Sequence, residues 1–161
     1  MKNSKAVYVA TAASVAALYV VLTFISSLFG LSSGVIQIRI SEALTILPAF
    51  TPAAIPGLFI GCLLSNTITG CALFDIIFGS IATLLGAVGT YLLRRHKWLA
   101  PVSPIIANTI IVPFVLSYVY GTPGTIPYLM LTVGIGEVLS CGVLGMVLLF
   151  ALNKYRTTLF G

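Results

Sequence analysis

AVYVATAASVAALYVVLTFISSLFGL, Ala6 to Leu31, runs without a charged side chain, and Lys2 and Lys5 stand just before it. A helix needs about 20 mostly apolar residues to span bilayer hydrocarbon, so this run suffices for one crossing and is too long for the apolar core of a signal peptide. It reads as a retained transmembrane helix, about 6 to 28. The rest of the chain has the same character: 59% of the 161 residues are hydrophobic, 7% are charged and mean hydropathy is +1.15. A soluble domain carries about a quarter charged residues. The composition predicts an all-α integral membrane protein, one transmembrane domain of six helices over residues 1–161, with no room for a soluble domain beside them.

The net charge of +5 does not point to nucleic acid, because no basic face interleaved with aromatics exists; it points to topology. Lysine and arginine collect in cytoplasmic loops. Lys2 and Lys5, then Arg94, Arg95 and Lys97, then Lys154 and Arg156 form three clusters, leaving Arg39 as the one basic residue outside them. If all three clusters are cytoplasmic, as both termini then are, the later spans fall at about 72–93, 100–119 and 127–152. The stretch between the first span and residue 72 must start and finish outside. Thr51-Pro52 reads as an N-cap followed by proline, with Pro48 closing the preceding helix, which divides this stretch into helices of about 41–50 and 53–67. Both are short, so a re-entrant hairpin competes with two thin crossings. Ahead of them Ile36, Ile38 and Ile40 alternate with Gln37, Arg39 and Ser41, the period of an extended strand with one polar face. Ser41 is placed to cap the second helix, with Glu42 in its first turn and Arg39 at ion-pairing distance in sequence.

Chemistry is sparse. Cys62, Cys71 and Cys141 form no Cys-x-x-Cys pair, and neither a metal site nor a redox motif is indicated; His96 stands alone in a basic loop. No Gly-x-x-x-x-Gly-Lys-[Ser/Thr] loop is present, so energy for any transport must come from a partner. What stands out is where the acids lie. Glu42, Asp75 and Glu137 are the only three, and each sits at or within an apolar segment. A carboxylate near the bilayer centre costs about 2.5–3.5 kcal/mol on insertion scales and usually faces a cavity or a partner. Asn66 and Asn108 add amides, for which interhelical bonding worth about 0.6 kcal/mol is the plain alternative. Carboxylates without a cation in any span suit a ligand that brings N–H donors or positive charge. Ala12 with Ala16 and Ala13 with Ala17 form small-x-x-x-small pairs on the first helix, a surface either for a partner or for the chain's own helices. An intramembrane enzyme using Glu42, Asp75 and Glu137 for acid–base chemistry is the reading from another class; no histidine, serine–base pair or metal set accompanies them.

The segments Gln37-Ile38-Arg39-Ile40-Ser41-Glu42-Ala43-Leu44, Gly57-Leu58-Phe59-Ile60-Gly61-Cys62 running to Asn66, Asp75-Ile76-Ile77-Phe78-Gly79-Ser80 with Thr83, and Gly136-Glu137 together resemble the QueT group. These are S-components of energy-coupling factor (ECF) transporters for queuosine precursors. The resemblance implies a multi-pass protein of the bacterial cell membrane with short second and third helices, which binds substrate from outside. It implies partners: one EcfT-like coupling subunit, docked on Ala12, Ala13, Ala16 and Ala17, and two EcfA-like ATPases that use ATP and Mg, with no cofactor in this chain. The implied substrate is a 7-deazaguanine such as preQ1, with preQ0 or queuine as variants, and another vitamin or nucleobase as the alternative. Glu137 then takes either the guanine-like edge or the ammonium, and Asp75 or Glu42 the other. Gln37, Asn66 and Asn108 serve the remaining ring edges, Arg39 either the ring carbonyl or the orientation of Glu42, and Phe74, Phe78 or an outer tyrosine the stacking.

Overall fold

The computed structural model describes residues 4–32 and 36–155, where all the regular structure is helical. In chain order it contains α1 (Ser4–Leu28), a 3₁₀ helix (Ile40–Ala49), α2 (Ala54–Ile68), α3 (Leu73–Leu92), a 3₁₀ turn (Lys97–Leu99) and α4 (Val102–Tyr118). The last span is composite: α5 (Ile126–Glu137), a π-helical stretch (Val138–Leu144) and α6 (Gly145–Lys154). Four segments are long and apolar enough to cross a membrane, namely Ser4–Leu28, Leu73–Leu92, Lys97–Tyr118 and Ile126–Lys154. These are the long spans expected from hydropathy, and the protein is a multi-pass membrane protein. Lys2 and Arg156, two of the cations that set the expected topology, lie outside the described residues, as does Val35.

The two short helices are where expectation and structure part. The 3₁₀ helix, 10 residues at about 2.0 Å each, extends about 20 Å, and α2, 15 residues at about 1.5 Å each, about 22 Å, against about 30 Å of hydrocarbon. Pro48 lies inside the first of them rather than closing it. Ser41 does not cap it either: Arg39 is the N-cap residue, and the Ser41 hydroxyl instead accepts from Thr23 Oγ1 at 2.9 Å. Thr51 Oγ1 accepts weakly from the Ala53 N–H at 3.4 Å, and α2 starts one residue beyond, without a side-chain cap. The expected strand-like stretch is extended at Arg39 (φ −107°, ψ 107°) but pairs with no other strand among the described residues.

Ser41 through Pro48 are all buried, because the 3₁₀ helix is plugged into the middle of the bundle against α1, α2, α3, α6 and the π-helical stretch. Non-helical backbone at membrane depth survives only when protein groups satisfy its polar atoms. Here Thr45 Oγ1 donates to the Glu42 carbonyl at 2.6 Å and Ser26 Oγ accepts the Ile40 N–H at 2.9 Å. The core around it is built from Val15 and Tyr19 of α1, Leu44, Ile46 and Leu47 of the plug, Leu58 and Cys62 of α2, and Leu149 of α6.

Small residues set how closely α1 and α2 approach. A Cβ on Gly57 would lie 2.6 Å from Ala12 O, and one on Gly61 would lie 2.8 Å from Tyr19 Cβ and 3.0 Å from Ala16 O. Gly57 and Gly61 therefore form a small-x-x-x-small surface that receives Ala12 and Ala16. α2 ends at Gly70, whose φ of +75° lets the Cys71 N–H reach the Asn66 carbonyl at 3.0 Å, a Schellman closure. That reversal brings Asn66, at the end of α2, beside Asp75, in the first turn of α3.

Candidate functional site

Glu42 occupies the first turn of the buried 3₁₀ helix, and three neighbouring elements reach its carboxylate and carbonyl. Tyr19 of α1 donates its phenol proton to Oε1, and Asn108 Nδ2 of α4 approaches Oε2 at 3.5 Å. The Cys141 thiol of the π-helical stretch has the Glu42 carbonyl at 3.5 Å and Glu137 Oε2 at 3.2 Å within reach of its one proton. Thr45 Oγ1 sits 3.4 Å from the same sulfur. Oxygen atoms of Glu42 and Glu137 and the Cys141 sulfur lie within 4.8 Å of one another. These three could each offer a metal ligand, but the sulfur is a hydrogen-bond donor here, and the set reads as a hydrogen-bonded cluster rather than a thiolate site.

Around this cluster lies a small polar cavity of about 20 Å³, bounded by Gln37, Arg39, Glu42, Asp75, Asn108 and Glu137, with Gly79, Thr83, Val112 and Val133 between them. It is large enough for about one water and far too small for a heterocyclic ligand. A second, more open cavity of about 390 Å³ adjoins it and shares Gln37, Arg39 and Asp75 as a common wall; Asn66, Thr23, Thr69 and Tyr120 line its far side. Seven of the eight residues expected from sequence to bind substrate thus line one or both of two adjoining cavities. Asn66 meets Asp75 over Gly79, where a Cβ would lie 3.2 Å from Asn66 Nδ2 and 3.3 Å from Asp75 Oδ1.

The eighth, Phe78, is elsewhere. It is 44% exposed, stacks on Phe74 at 6.4 Å between centroids, and lines with Ile110, Phe114 and Tyr118 an apolar groove of about 680 Å³ on the flank of α3 and α4. Three to four residues per turn put Phe74 and Phe78 on one face and Asp75 and Gly79 on the next, so these phenylalanines look outward while Asp75 looks in. The aromatic ring in the open cavity belongs to Tyr120. Nor do Arg39 and Glu42 form the expected i, i+3 ion pair: Glu42 is taken by Tyr19 and Asn108. Among the described residues Arg39 bonds only through its backbone, its N–H donating to Ser140 Oγ at 3.2 Å and its carbonyl accepting from the Glu42 N–H at 3.0 Å.

Tyr120 pins the connector after α4 onto the start of α3. Its hydroxyl accepts the Ala72 N–H at 3.0 Å and donates to Asp75 Oδ2 at 2.8 Å. Partial burial, with the Asp75 carboxylate close by, pushes its phenol up to about 12, so it remains a donor until pH rises through that value. Tyr120→Phe removes both bonds, a net loss of about 1 kcal/mol. Binding of the ligand proposed below is expected to weaken roughly fivefold, which titration calorimetry checks.

Of the four alanines, Ala16 is buried and Ala12 half-buried under α2, so they serve the chain's own packing. Ala13 and Ala17 are exposed, and all four line a shallow apolar groove of about 400 Å³ with Val9, Val20, Ile60 and Leu64.

With this geometry in place, the comparisons with known proteins carry weight. Residues 9–154 match the family described as QueT transporter. The chain belongs to the QueT family. One relative, named "Queuosine precursor transporter QueT", from Lactococcus lactis subsp. cremoris (strain MG1363), is 40% identical over 98 residues. The match covers 60% of this chain and 57% of that relative, so less than two-thirds of the relative's length is spanned. No solved structure matches the chain. QueT proteins are a family of transporters, which leaves the acid–base enzyme reading of Glu42, Asp75 and Glu137 without support.

Sequence reasoning about this QueT-family chain missed Tyr19, Thr45 and Cys141. Cys141 follows Glu137 by four residues, a spacing that places both on one face. Tyr19 follows Val15 and Ala16 on the buried stripe of α1. No sequence signal announced the π-helical turn that begins one residue after Glu137; such turns are frequent at functional sites.

Proposed function

We propose that this chain is the substrate-capturing S-component of an ECF-type importer, taking up a 7-deazaguanine queuosine precursor, preQ1 being the best chemical fit. The observation that carries this reading is the convergence of three carboxylates, two amides, a glutamine and an arginine from six separate segments on two adjoining cavities, in a family of transporters. A guanine-like edge presents adjacent N–H donors to one carboxylate, and an aminomethyl ammonium needs another. Gln37, Asn66 and Asn108 complement the remaining edges, Arg39 the ring carbonyl, and Tyr120 replaces Phe78 as the stacking candidate. The small inner cavity must open toward the larger one for a ring to enter. The relative's printed name, a queuosine precursor transporter, supports the substrate class.

In this reading the open cavity faces outward from a bacterial cell membrane and both termini are cytoplasmic. A coupling subunit and two ATPases, using ATP and Mg, supply the energy this chain lacks the motifs to harvest. Mass spectrometry of the ultraviolet-absorbing ligand carried by the purified chain tests the assignment. A 7-deazaguanine mass supports it, whereas another vitamin or nucleobase moves the protein to the alternative substrate.

The exposed small face of α1 supports docking of the coupling subunit there. Ala13→Trp, which fills the groove without disturbing the Gly57 and Gly61 contacts, is expected to abolish uptake while leaving ligand affinity within about twofold. Loss of binding in the isolated chain would instead mark Ala13 as part of the internal packing.

A further inference from the structure

We infer that Glu42 and Glu137 hold a single proton between them in the ligand-free site and release it when a cationic ligand enters, so that the pair selects ligand charge. The inference rests on the proposed substrate class, but it arises from geometry. Oxygens of the two carboxyl groups lie within 4.8 Å of each other and of the Cys141 sulfur, with Glu42 2% and Glu137 9% exposed.

The groups facing the pair come from every surrounding element. α1 gives Tyr19, the extended segment before the plug gives Gln37 and Arg39, and α3 gives Asp75 and Thr83. α4 gives Asn108, the π-helical stretch gives Cys141, and Cys62 of α2 lies one bond further off on Thr83 at 3.4 Å. Arg39 is the single cation among them, against three carboxyl groups. Asp75 borders the open cavity and is held by Tyr120, so it carries the charge that balances Arg39. Glu42 and Glu137 are then left with two potential negative charges and no cation.

Two adjacent carboxylates in a water-poor site do not both ionise; one proton serves both. The donors present fit a pair of that kind. Glu42 receives a phenol and an amide, as an ionised group does, whereas Glu137 receives the weak thiol donor of Cys141 and shares the Asn108 amide with Glu42. The shared proton costs nothing for a neutral ligand that fits the protonated pair. A ligand ammonium replaces the proton, which leaves for bulk water, and net charge in the site is conserved.

The experiment uses the purified full chain and two readouts. Infrared spectroscopy at neutral pH should show the carbonyl stretch of one protonated carboxyl, retained in Asp75→Asn and absent from Glu42→Gln/Glu137→Gln. A native chain with no such band overturns the inference. Calorimetry in buffers of different ionisation enthalpy should then find about one proton released per aminomethyl-7-deazaguanine bound and none for the neutral cyano analogue. Binding of both with equal proton counts also overturns the inference while leaving the proposed substrate class intact. Failure of either compound to bind overturns the substrate class, and the infrared band alone then decides the shared proton.

Discussion

Glu137→Gln is expected to weaken binding of the 7-deazaguanine ligand about 100-fold while leaving the bundle as stable as before, or more so. Glutamine keeps the size of the side chain and one acceptor oxygen but removes the charge, and a hydrogen bond to a charged group contributes about 1.5–3 kcal/mol. Two such bonds from a guanine-like edge, one of them retained in weakened form, give about 3 kcal/mol, and 1.4 kcal/mol is tenfold. The stability half follows from the surroundings. Glu137 is 9% exposed, and its donors are the Cys141 thiol at 3.2 Å and an Asn108 amide shared with Glu42, neither of them a cation, so the folded chain gains little from ionising it. With one proton shared between Glu42 and Glu137 in the ligand-free site, glutamine replaces a group that is already largely neutral there, and it removes what remains of the cost of a buried charge. Equilibrium binding and thermal unfolding of the same purified variant check the two halves. An unchanged dissociation constant would remove Glu137 from the binding site, and a large drop in unfolding temperature would make it structural.

The long spans were legible because the bilayer imposes length and apolarity on any helix that crosses it, and Ser4–Leu28 or Leu73–Leu92 satisfy that requirement through composition alone. The polar lining was legible for the same reason: acids are so costly in such segments that Glu42, Asp75 and Glu137 could be singled out by type. Their assembly was not. Whether residues 40–49 form an α-helix or a 3₁₀ plug depends on what surrounds them, and Ser41, a good N-cap by type, is used by Thr23 instead.

Phe78 shows the same limit from the other side. An aromatic residue beside a polar site is a reasonable stacking partner by type, yet it lies one helix face away from Asp75 and ends in the outer groove. Tyr120 reaches the site from a connector whose path depends on tertiary structure, with Gly121 at φ +60° following it. In a bundle with little polar chemistry, residue type narrows the candidates and helix-face geometry decides among them. The two alanine pairs of α1 were likewise equivalent in spacing, and only the glycines of α2 distinguish Ala12 and Ala16, which pack internally, from Ala13 and Ala17, which remain exposed.

A second sensitive position in the site is expected to be a glycine that touches no ligand. A Cβ on Gly136 would lie 2.1 Å from the Gln37 carbonyl oxygen, 3.1 Å from its carbon and 3.5 Å from its nitrogen. All three are backbone atoms, so no rotamer change relieves the overlap; the segment bearing Gln37 and Arg39 has to move off α5. That movement also pulls the Arg39 N–H from Ser140 Oγ, now at 3.2 Å, and takes two side chains from the wall shared by both cavities. Overpacking of this kind costs about 1–3 kcal/mol. Gly136→Ala is therefore expected to reduce ligand affinity at least about fivefold, with the helical circular dichroism unchanged because the long spans do not depend on this contact. Gly134→Ala supplies the comparison: its nearest neighbours, Thr109 Cγ2 and Oγ1, are both 3.5 Å away, an ordinary contact, and binding should remain native. If both variants bind alike, the extended segment is not held by α5 in the working site. If only Gly136→Ala fails, the close approach of Gln37 to Gly136 is what seats Gln37 and Arg39 against the buried carboxylates.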